Sequence, residues 1–221
     1  MNKSHVLNIV PTPIGNLEDI TLRSLDTLKN SDYILCEDTR VSKKLLNKYN
    51  IEVQLVSFHS FNEHKTVQKH INQILDGKAI SLISDAGTPS ISDPGFLIVR
   101  ESIKNNIEIN CLPGATALIP AIVNSGLSSE RFVFEGFLPT KKGRNKRIKN
   151  LVDEKRSIVI YESPKRILRL INDLMDFFGE DRNASISREL SKIYQENIRG
   201  TLKELYGKLE NINIKGEFVI V

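Results

Sequence analysis

Residues 63–95 read EHKTVQKHINQILDGKAISLISDAGTPSISDPG, and this stretch shows the three kinds of segment from which the fold is predicted. Val67, Ile71 and Ile74 recur at the spacing that places apolar side chains on one face of a helix, and Leu75 widens that stripe. The glycine of ILDGK suits the end of this helix. The apolar run AISLIS is typical of a buried strand, and the turn-forming residues of SDAGTPSISDPG follow it. The stretch therefore predicts a helix, a strand and a loop in succession.

The same alternation fills the first half of the chain. Short apolar runs occur at VLNIV (6–10), DYILC (32–36), VQLVSF (53–58), AISLIS (79–84) and IEINCL (107–112). Between them lie helical patterns at 21–30, 40–50, 63–77 and 96–106, and a further one covers 114–127. Alternation of this kind predicts a mostly parallel sheet covered by helices.

A break at NSGLSS (124–129) precedes a second series of patterns. Strands are expected in RFVFEGF, SIVIYES, NASISREL, IYQENIRG and GEFVIV, and helices over 141–155, over 164–179 with Pro164 in the first turn, and from Thr201. The predicted fold class is therefore α/β with two domains. The first, 1–126, would carry the cofactor and target loops, and the second, 127–221, would complete the site.

Composition excludes several classes of protein. The chain is 40% hydrophobic and 26% charged, which is ordinary for a globular protein. Its longest apolar stretch, ALIPAIV, is far shorter than the roughly 18–20 residues of a membrane span, and VLNIV is too short for the core of a signal peptide. Cys36 and Cys111 end apolar runs, which favours two buried free thiols over a disulfide. These features predict a cytoplasmic protein.

Positive charge is concentrated in the second half. Residues 1–126 hold 12 Lys/Arg against 13 Asp/Glu, whereas 127–221 hold 19 against 14. Six of the basic residues lie within KKGRNKRIK (141–149). This run is either a solvated helix face or a surface for a polyanion.

Common catalytic and binding motifs are absent. The sequence contains no G-x-G-x-x-G motif, no P-loop motif and no G-x-S-x-G motif. A Rossmann-type dinucleotide site, a P-loop nucleoside-triphosphate site and the nucleophile elbow of a serine hydrolase are therefore not expected. His59, His64 and His70 lie five and six residues apart, a spacing that does not place two imidazoles on one helix face. No metal site is predicted.

Four polar or glycine-containing segments follow predicted strands. They are VPTPIGNLEDITLR (10–23), CEDTR (36–40), SDAGTPSISDPG (84–95) and LPGATA (112–117). The carboxylates of CEDTR could accept a proton or bind a ribose, although a capped helix start explains Asp38 and Thr39 equally well. Glycines in the last two segments would let the backbone approach a ligand, while Asp93 and Pro94 would cap and begin the next helix.

Taken together, these motifs are recognisable. VPTPIGNLEDITLRSL, CEDTRVSKKLL, ISDAGTPSISDPG, LPGATALIPAIVNSGL, RFVFEGFLP, YESPKRI, SRELSKIYQENIRGT and KGEFVIV resemble the tetrapyrrole-methylase-like (precorrin-type) superfamily, and within it most of all the ribosomal RNA small subunit methyltransferase I family. The resemblance implies a two-domain, non-Rossmann methyltransferase fold, with S-adenosylmethionine between the domains, and a homodimer. It also implies 2′-O-methylation of a cytidine ribose in the decoding centre of 16S rRNA, within the 30S subunit.

Carried over by motif, the resemblance assigns residues to the site. The cofactor would contact Asp85, Ala86, Gly87, Thr88, Pro89, Ile91, Pro113, Gly114, Ala115, Thr116, Tyr161 and Glu162, with Ser163 beside them. The target nucleotide would be bordered by Thr12, Pro13, Gly15, Asn16, Glu37, Asp38, Thr39 and Arg40. For an enzyme with an RNA substrate, phosphate contacts become the favoured interpretation of the basic run, through Lys141, Lys142, Arg144, Lys146 and Arg147.

A ribose hydroxyl is a poor nucleophile while protonated, so a hydrogen-bond acceptor is expected beside it. Asp38 and Glu37 are the candidates for this catalytic role, with Asp85 as a third. Family members commonly continue beyond the strand corresponding to GEFVIV, where this sequence ends. RNA contacts made by such a region are expected to be absent, or to come from the partner subunit or the basic run.

Two other functions stay open at this point. One is a C-methyltransferase of the same superfamily that acts on a tetrapyrrole such as uroporphyrinogen or a precorrin. The other is a non-catalytic RNA-binding or assembly protein. The residues of the SDAGTPSISDPG and YESPKRI motifs favour RNA over a tetrapyrrole as the substrate. The intact glycine and proline loops argue against a protein that only binds RNA.

Overall fold

The computed structural model describes residues 5–211 and 213–221, which fall into two compact α/β units, Met1–Thr116 and Ala117–Val221. The helix that follows Ala117 packs against strands of the second unit. The division thus precedes this helix, whereas the sequence-based boundary at 126/127 follows it. None of the helices in the described part of the chain is long and apolar enough to cross a membrane.

The first unit is a five-stranded parallel sheet, as predicted. Its strands are β1 (Val6–Ile9), β2 (Tyr33–Cys36), β3 (Leu55–Ser57), β4 (Ile80–Leu82) and β5 (Glu108–Cys111), and its helices are α1 (Leu22–Lys29), α2 (Thr39–Lys48), α3 (Glu63–Leu75) and α4 (Phe96–Lys104). The strand order is β3-β2-β4-β1-β5, and each neighbouring pair is parallel. All five carboxyl ends therefore lie along one edge.

Helices bury both faces of this sheet. Ile71 of α3 and Ile98 of α4 belong to one apolar cluster, whereas Leu28 of α1 and Leu46 of α2 belong to another. The apolar stripe beginning at Val67 is the buried face of α3. With both faces covered, the loops at the carboxyl edge are the part of this unit that is open to ligands.

The second unit contains a mixed sheet. Its strands are β6 (Phe132–Phe137), β7 (Ser157–Glu162), β8 (Asn183–Arg188), β9 (Glu196–Thr201) and β10 (Phe218–Ile220), and its helices are α5 (Leu118–Ser125), α6 (Arg144–Asn150), α7 (Ile167–Phe178) and α8 (Leu202–Glu210). The order is β6-β7-β10-β8-β9, in which β6 and β7 are parallel and the other three pairs are antiparallel. Side chains of α6, α7 and α8 pack against those of β7, β8 and β10 in its main core.

Several local predictions need correction. Helix α4 begins at Phe96 after Gly95, whose φ of 136° suits glycine, so Asp93 does not cap it and Pro94 does not begin it. The basic helix is limited to α6. Cys36 is buried as predicted, but Cys111 is exposed; both thiols are free. The helix from Thr201 is confirmed, with Thr201 as a capping-box residue.

A polar pair lies inside the first unit, between β2 and α3. The Tyr33 hydroxyl and His70 Nδ1 are 2.8 Å apart, and both side chains are buried. Burial, with a smaller contribution from Lys69, lowers the pKa of His70 to about 4. The imidazole is therefore neutral in the folded protein at neutral pH.

This histidine predicts a pH dependence of stability. His70 takes up a proton near pH 6.5 in the unfolded state but only near pH 4 in the folded state. The stability that the neutral imidazole contributes to the folded state is therefore complete above pH 6.5 and is lost as the pH falls towards 4. Over that interval the free energy of unfolding should fall by about 3 kcal/mol from this group. In urea titrations at several pH values, His70→Gln should remove that slope, whereas exposed His64→Gln should keep it. An equal slope in wild type and His70→Gln would contradict the assignment.

Candidate functional site

Three loops at the carboxyl edge of the first sheet are joined into one structure. They follow β4, β1 and β5, which are neighbours in the sheet. Thr12 and Gly87 exchange two backbone hydrogen bonds of 2.8 and 2.9 Å, and Thr12 Oγ1 donates to the Ser84 carbonyl at 2.9 Å. Thr88 Oγ1 donates to the Ala115 carbonyl at 3.1 Å. We call residues 84–91 and 112–116, together with Thr12, the loop cradle.

The two glycines of the cradle are required for different reasons. Gly87 has a φ of 83°, a conformation that side-chain-bearing residues rarely adopt. At Gly114 a Cβ would lie 2.6 Å from Cβ of Pro11 and 2.9 Å from its Cγ. The space at Gly114 is therefore filled by the Pro11 ring rather than left open for a ligand, which corrects the reason given from the sequence.

Gly114→Ala should consequently push the loop after β5 away from the loop after β1, because a proline ring cannot rotate aside. We expect a loss of about 1–3 kcal/mol in the free energy of unfolding, as is usual for overpacking. Urea denaturation measures this loss. Gly207→Ala is the control, since that helical position has no atom within 4 Å of the added Cβ and should be neutral or stabilised. Equal stability of Gly114→Ala and wild type would contradict the close packing.

Ten of the residues assigned to the cofactor from the sequence belong to the cradle. Exposed members are Ala86, Ile91, Pro113 and Gly114; half-buried members are Asp85, Thr88, Ala115 and Thr116; Gly87 and Pro89 are buried. The amides of Ala86 and Thr88 donate no hydrogen bond to the described chain. Unpaired amides beside an acidic residue suit a ligand that carries carboxylate, hydroxyl and amino groups, as S-adenosylmethionine does.

Thr12 and Pro13 do not border an accessible target site. Both are buried, and Thr12 uses its backbone and its hydroxyl to brace the cradle. Gly15 and Asn16 are exposed, and the Asn16 side chain accepts from the amide of Glu18 at the start of a short 3-10 turn. Burial thus argues against target contacts by the side chains of Thr12 and Pro13, and the contacts of Gly15 and Asn16 stay a prediction.

Asp38 is the N-cap of α2. Its carboxylate accepts from the Arg40 amide at 2.8 Å and forms an ion pair with the Arg40 guanidinium at 2.6 Å. The hydrogen bonds from the Arg40 side chain and amide lower the pKa of Asp38 to about 2. Thr39 is half-buried as the first residue of the helix. A carboxylate that is already hydrogen-bonded and this acidic is a weak proton acceptor.

Glu37 differs from its neighbour. Its side chain is half-buried, and burial followed by the charge of Asp85 raises its pKa above the ordinary value. Asp85 accepts the backbone N–H of Asp38 at 3.1 Å, which ties the loop after β4 to the end of β2, and burial raises its pKa too. Glu37 is therefore the more basic of the two carboxylates predicted to be catalytic.

Glu37 also lines a cavity of about 460 Å³ at the ends of β2, β3 and β4. We call it the edge cavity. Other residues that line it are Ser60, Glu63, His64, Phe96 and Arg100. Sequence reasoning did not single out Glu63 and Phe96, which begin α3 and α4; only the strand order brings these two helix starts together.

Glu162 and Tyr161 are the residues of the second unit that were predicted to contact the cofactor, and both make contacts within that unit. Glu162 is 2% exposed, and its carboxylate is 2.6 Å from Arg166 and 3.7 Å from Arg144. Its side chain thus lies inside the unit, so a contact with a cofactor could involve only its backbone. Tyr161 is half-buried, with its ring centroid 4.9 Å from that of Phe134.

The predicted phosphate-binding set requires one correction. Arg144 is 1% exposed and lies 2.6 Å from Asp173, so it is a core ion pair rather than a phosphate contact. Lys141, Lys142 and Lys146 are exposed, as the prediction requires. Arg147 is exposed and forms an ion pair with Glu135. No cluster of three or more metal-ligating side chains is found within 5–211 and 213–221.

Comparisons with known proteins give a consistent result. The family model for tetrapyrrole (corrin/porphyrin) methylases matches residues 6–206. The ribosomal RNA small subunit methyltransferase I of Thermotoga maritima is 44% identical over 97% of this chain and 96% of its own length. The enzyme of the same name from Synechocystis is 44% identical over 98% of this chain and 78% of its own. A crystal structure of diphthine synthase covers 98% of this chain and 89% of its own, with a TM-score of 0.76 at 13% identity, and shows the same fold.

Proposed function

The chain belongs to the ribosomal RNA small subunit methyltransferase I family, within the tetrapyrrole methylases, and we propose that it transfers a methyl group from S-adenosylmethionine to the 2′-hydroxyl of a cytidine in the decoding centre of 16S rRNA. The observation that carries this proposal is the placement of the loop cradle and the basic carboxylate of Glu37 along one edge of the first sheet. The methyl donor would bind on the cradle and the ribose hydroxyl beside Glu37, so both reactants would lie at that edge.

The cradle contributes to the reaction by holding the donor in position. S-adenosylmethionine supplies an activated methyl group, so the protein must supply alignment and a dry site rather than a covalent intermediate. Thr12 and Thr88 fix the loops relative to one another, so little ordering is left to be done when the cofactor binds. The Asp85 carboxylate and the amides of Ala86 and Thr88 would hydrogen-bond the polar groups of the cofactor.

Glu37 would take the proton of the ribose hydroxyl. Its raised pKa makes it a better acceptor than Asp38, whose carboxylate holds Arg40 and the first turn of α2. Asp38 would then act by fixing the backbone from which Glu37 projects. Both residues belong to the catalytic pair predicted from the sequence, and the proposal gives each of them a different role.

Exposed lysines in α6 and just before it would position the RNA through its phosphates. Replacing Lys141, Lys142 and Lys146 by Gln should weaken binding of small-subunit RNA and reduce the slope of log K against log salt by about 0.7–0.9 for each lost contact. The fold should be unchanged because these side chains are exposed. A filter-binding titration over a range of salt concentrations measures the slope. The same slope in wild type and triple variant would remove these lysines from the interface.

The remaining features of the proposal follow from the substrate. An enzyme that modifies 16S rRNA within the 30S subunit works where ribosomes are assembled, which places it in the cytoplasm. A homodimer is proposed from the family resemblance.

One experiment tests the reaction. Methyl-labelled S-adenosylmethionine is offered with 30S subunits, with free 16S rRNA or with uroporphyrinogen, and the labelled product is digested to nucleosides. Label in 2′-O-methylcytidine from the RNA is the expected result. Label in the tetrapyrrole would overturn the proposal in favour of a C-methyltransferase, and label in neither would favour a non-catalytic RNA-binding protein.

A further inference from the structure

We propose that the edge cavity receives the nucleobase of the methylated nucleotide and that Glu63 selects cytosine there by accepting a hydrogen bond from its exocyclic amino group. This inference rests on the function proposed above and adds a site for base recognition. The cavity is lined by residues of the first unit alone, from the ends of β2, β3 and β4.

Connectivity of the nucleotide restricts where the base can lie. The base is attached to C1′ of the ribose, which is bonded to the carbon that carries the 2′-hydroxyl. If Glu37 accepts the proton of that hydroxyl, the base must occupy space adjacent to Glu37. The edge cavity has Glu37 in its wall, and its volume of about 460 Å³ lies within the range for small-ligand pockets.

Glu63 gives the cavity a hydrogen-bond acceptor that the protein itself does not use. Its Oε2 is buried and accepts no hydrogen bond from the described part of the chain. Buried polar atoms are nearly always paired, so a carboxylate that the chain leaves unpaired, on a residue that lines the cavity, calls for a donor from a ligand. Cytosine presents an amino group at its N4 position, whereas uracil presents a carbonyl oxygen that a carboxylate would repel.

Phe96 supplies an apolar surface for the base. Its side chain is 66% exposed although it is large and aromatic, and it lines the cavity as the first residue of α4. The Arg100 guanidinium lies 5.5 Å from the Phe96 ring centroid. An unstacked base commonly packs against an aromatic ring or an arginine plane, so this pair can replace the stacking that the base loses when it leaves the RNA.

The test uses two RNA substrates that differ only at the methylated position, which is mapped first with the wild-type enzyme and then carries cytidine or uridine. Wild type should prefer cytidine by roughly tenfold or more in kcat/KM. Glu63→Gln should reduce that preference by about tenfold, because the amide can turn its NH₂ towards the uracil oxygen. Phe96→Ala should lower kcat/KM on both substrates by about tenfold without changing the preference.

Affinity for S-adenosylmethionine and the melting temperature are measured for each variant. Glu52→Gln is the matched control, since Glu52 is exposed on the same unit and does not line the cavity, and it should behave as wild type. An undiminished preference for cytidine in Glu63→Gln, or no loss of kcat/KM in a folded Phe96→Ala, would overturn the inference. Failure of the wild type to label any ribose would instead overturn the proposed function.

Discussion

Glu37→Gln should lower kcat by about 10²–10⁴, the range usual for loss of a general base, with affinity for S-adenosylmethionine nearly unchanged. The Glu37 carboxylate accepts no hydrogen bond from the described chain, and the residue lines the cavity beside the cradle. Its amide analogue has nearly the same shape, so the loss would report proton transfer rather than packing. Single-turnover methylation of 30S subunits measures the chemical step, and equilibrium binding measures the cofactor.

Asp38→Asn is the matched control for Glu37→Gln. It makes the same chemical change one residue further along, and asparagine remains a good N-cap for α2. Only the exposed ion pair with Arg40 is lost, and such pairs contribute little to stability. We expect kcat within about threefold of wild type. A loss in Asp38→Asn as large as that in Glu37→Gln would return the role of base to Asp38.

The pH profile gives a second readout for Glu37. Because its pKa is raised by burial and by Asp85, the folded enzyme loses the ionised form at a higher pH than an ordinary glutamate would. Turnover should therefore rise with pH through this raised pKa and then level off. That rising limb should vanish in Glu37→Gln and persist in Asp38→Asn.

Periodicity was sufficient to predict the parallel sheet of the first unit. The central strands β2 and β4 are short apolar runs in which every residue is buried, and the stripe beginning at Val67 identified the buried face of α3. The loops that form the candidate site were also identifiable, because ligands bind at the carboxyl ends of parallel strands. The strand order could not be read from the sequence. That order places the loop after β1 between those after β4 and β5.

The role of individual side chains was less predictable. The sequence left open whether Asp38 was a base or a cap. The structure shows that it caps α2, with its carboxylate accepting from the Arg40 amide, while its catalytic role stays a prediction. Glu63 and Phe96 are 33 positions apart and meet only through the strand order. The burial of Arg144 could have been predicted from its spacing to an apolar residue of the same helix. Arg144 lies four residues before Ile148, on the buried face of α6, although it stands within a run of exposed lysines.

Arg144→Met should therefore destabilise the protein by about 3 kcal/mol, although a location in the basic run predicts almost no effect on stability. Removing one partner of a buried ion pair leaves the other charge without compensation. Arg144 pairs with Asp173 at 2.6 Å and approaches Glu162 at 3.7 Å, and its side chain is 2% exposed. Arg166 still neutralises Glu162, so the loss should lie at the lower end of the usual range. Urea denaturation measures the free energy of unfolding.

Lys146→Met on the same helix separates the two roles. Lys146 is exposed, so its replacement should change stability by less than about 0.5 kcal/mol while it weakens RNA binding and reduces the salt slope. Arg144→Met should do the opposite: lower stability, with an unchanged salt slope at temperatures where it is folded. Adding Asp173→Asn to Arg144→Met should cost less than the sum of the single losses, because Asp173 is the carboxylate that loses its 2.6 Å partner. If Arg144→Met instead kept full stability and lost RNA affinity, Arg144 would belong to the phosphate-binding surface after all.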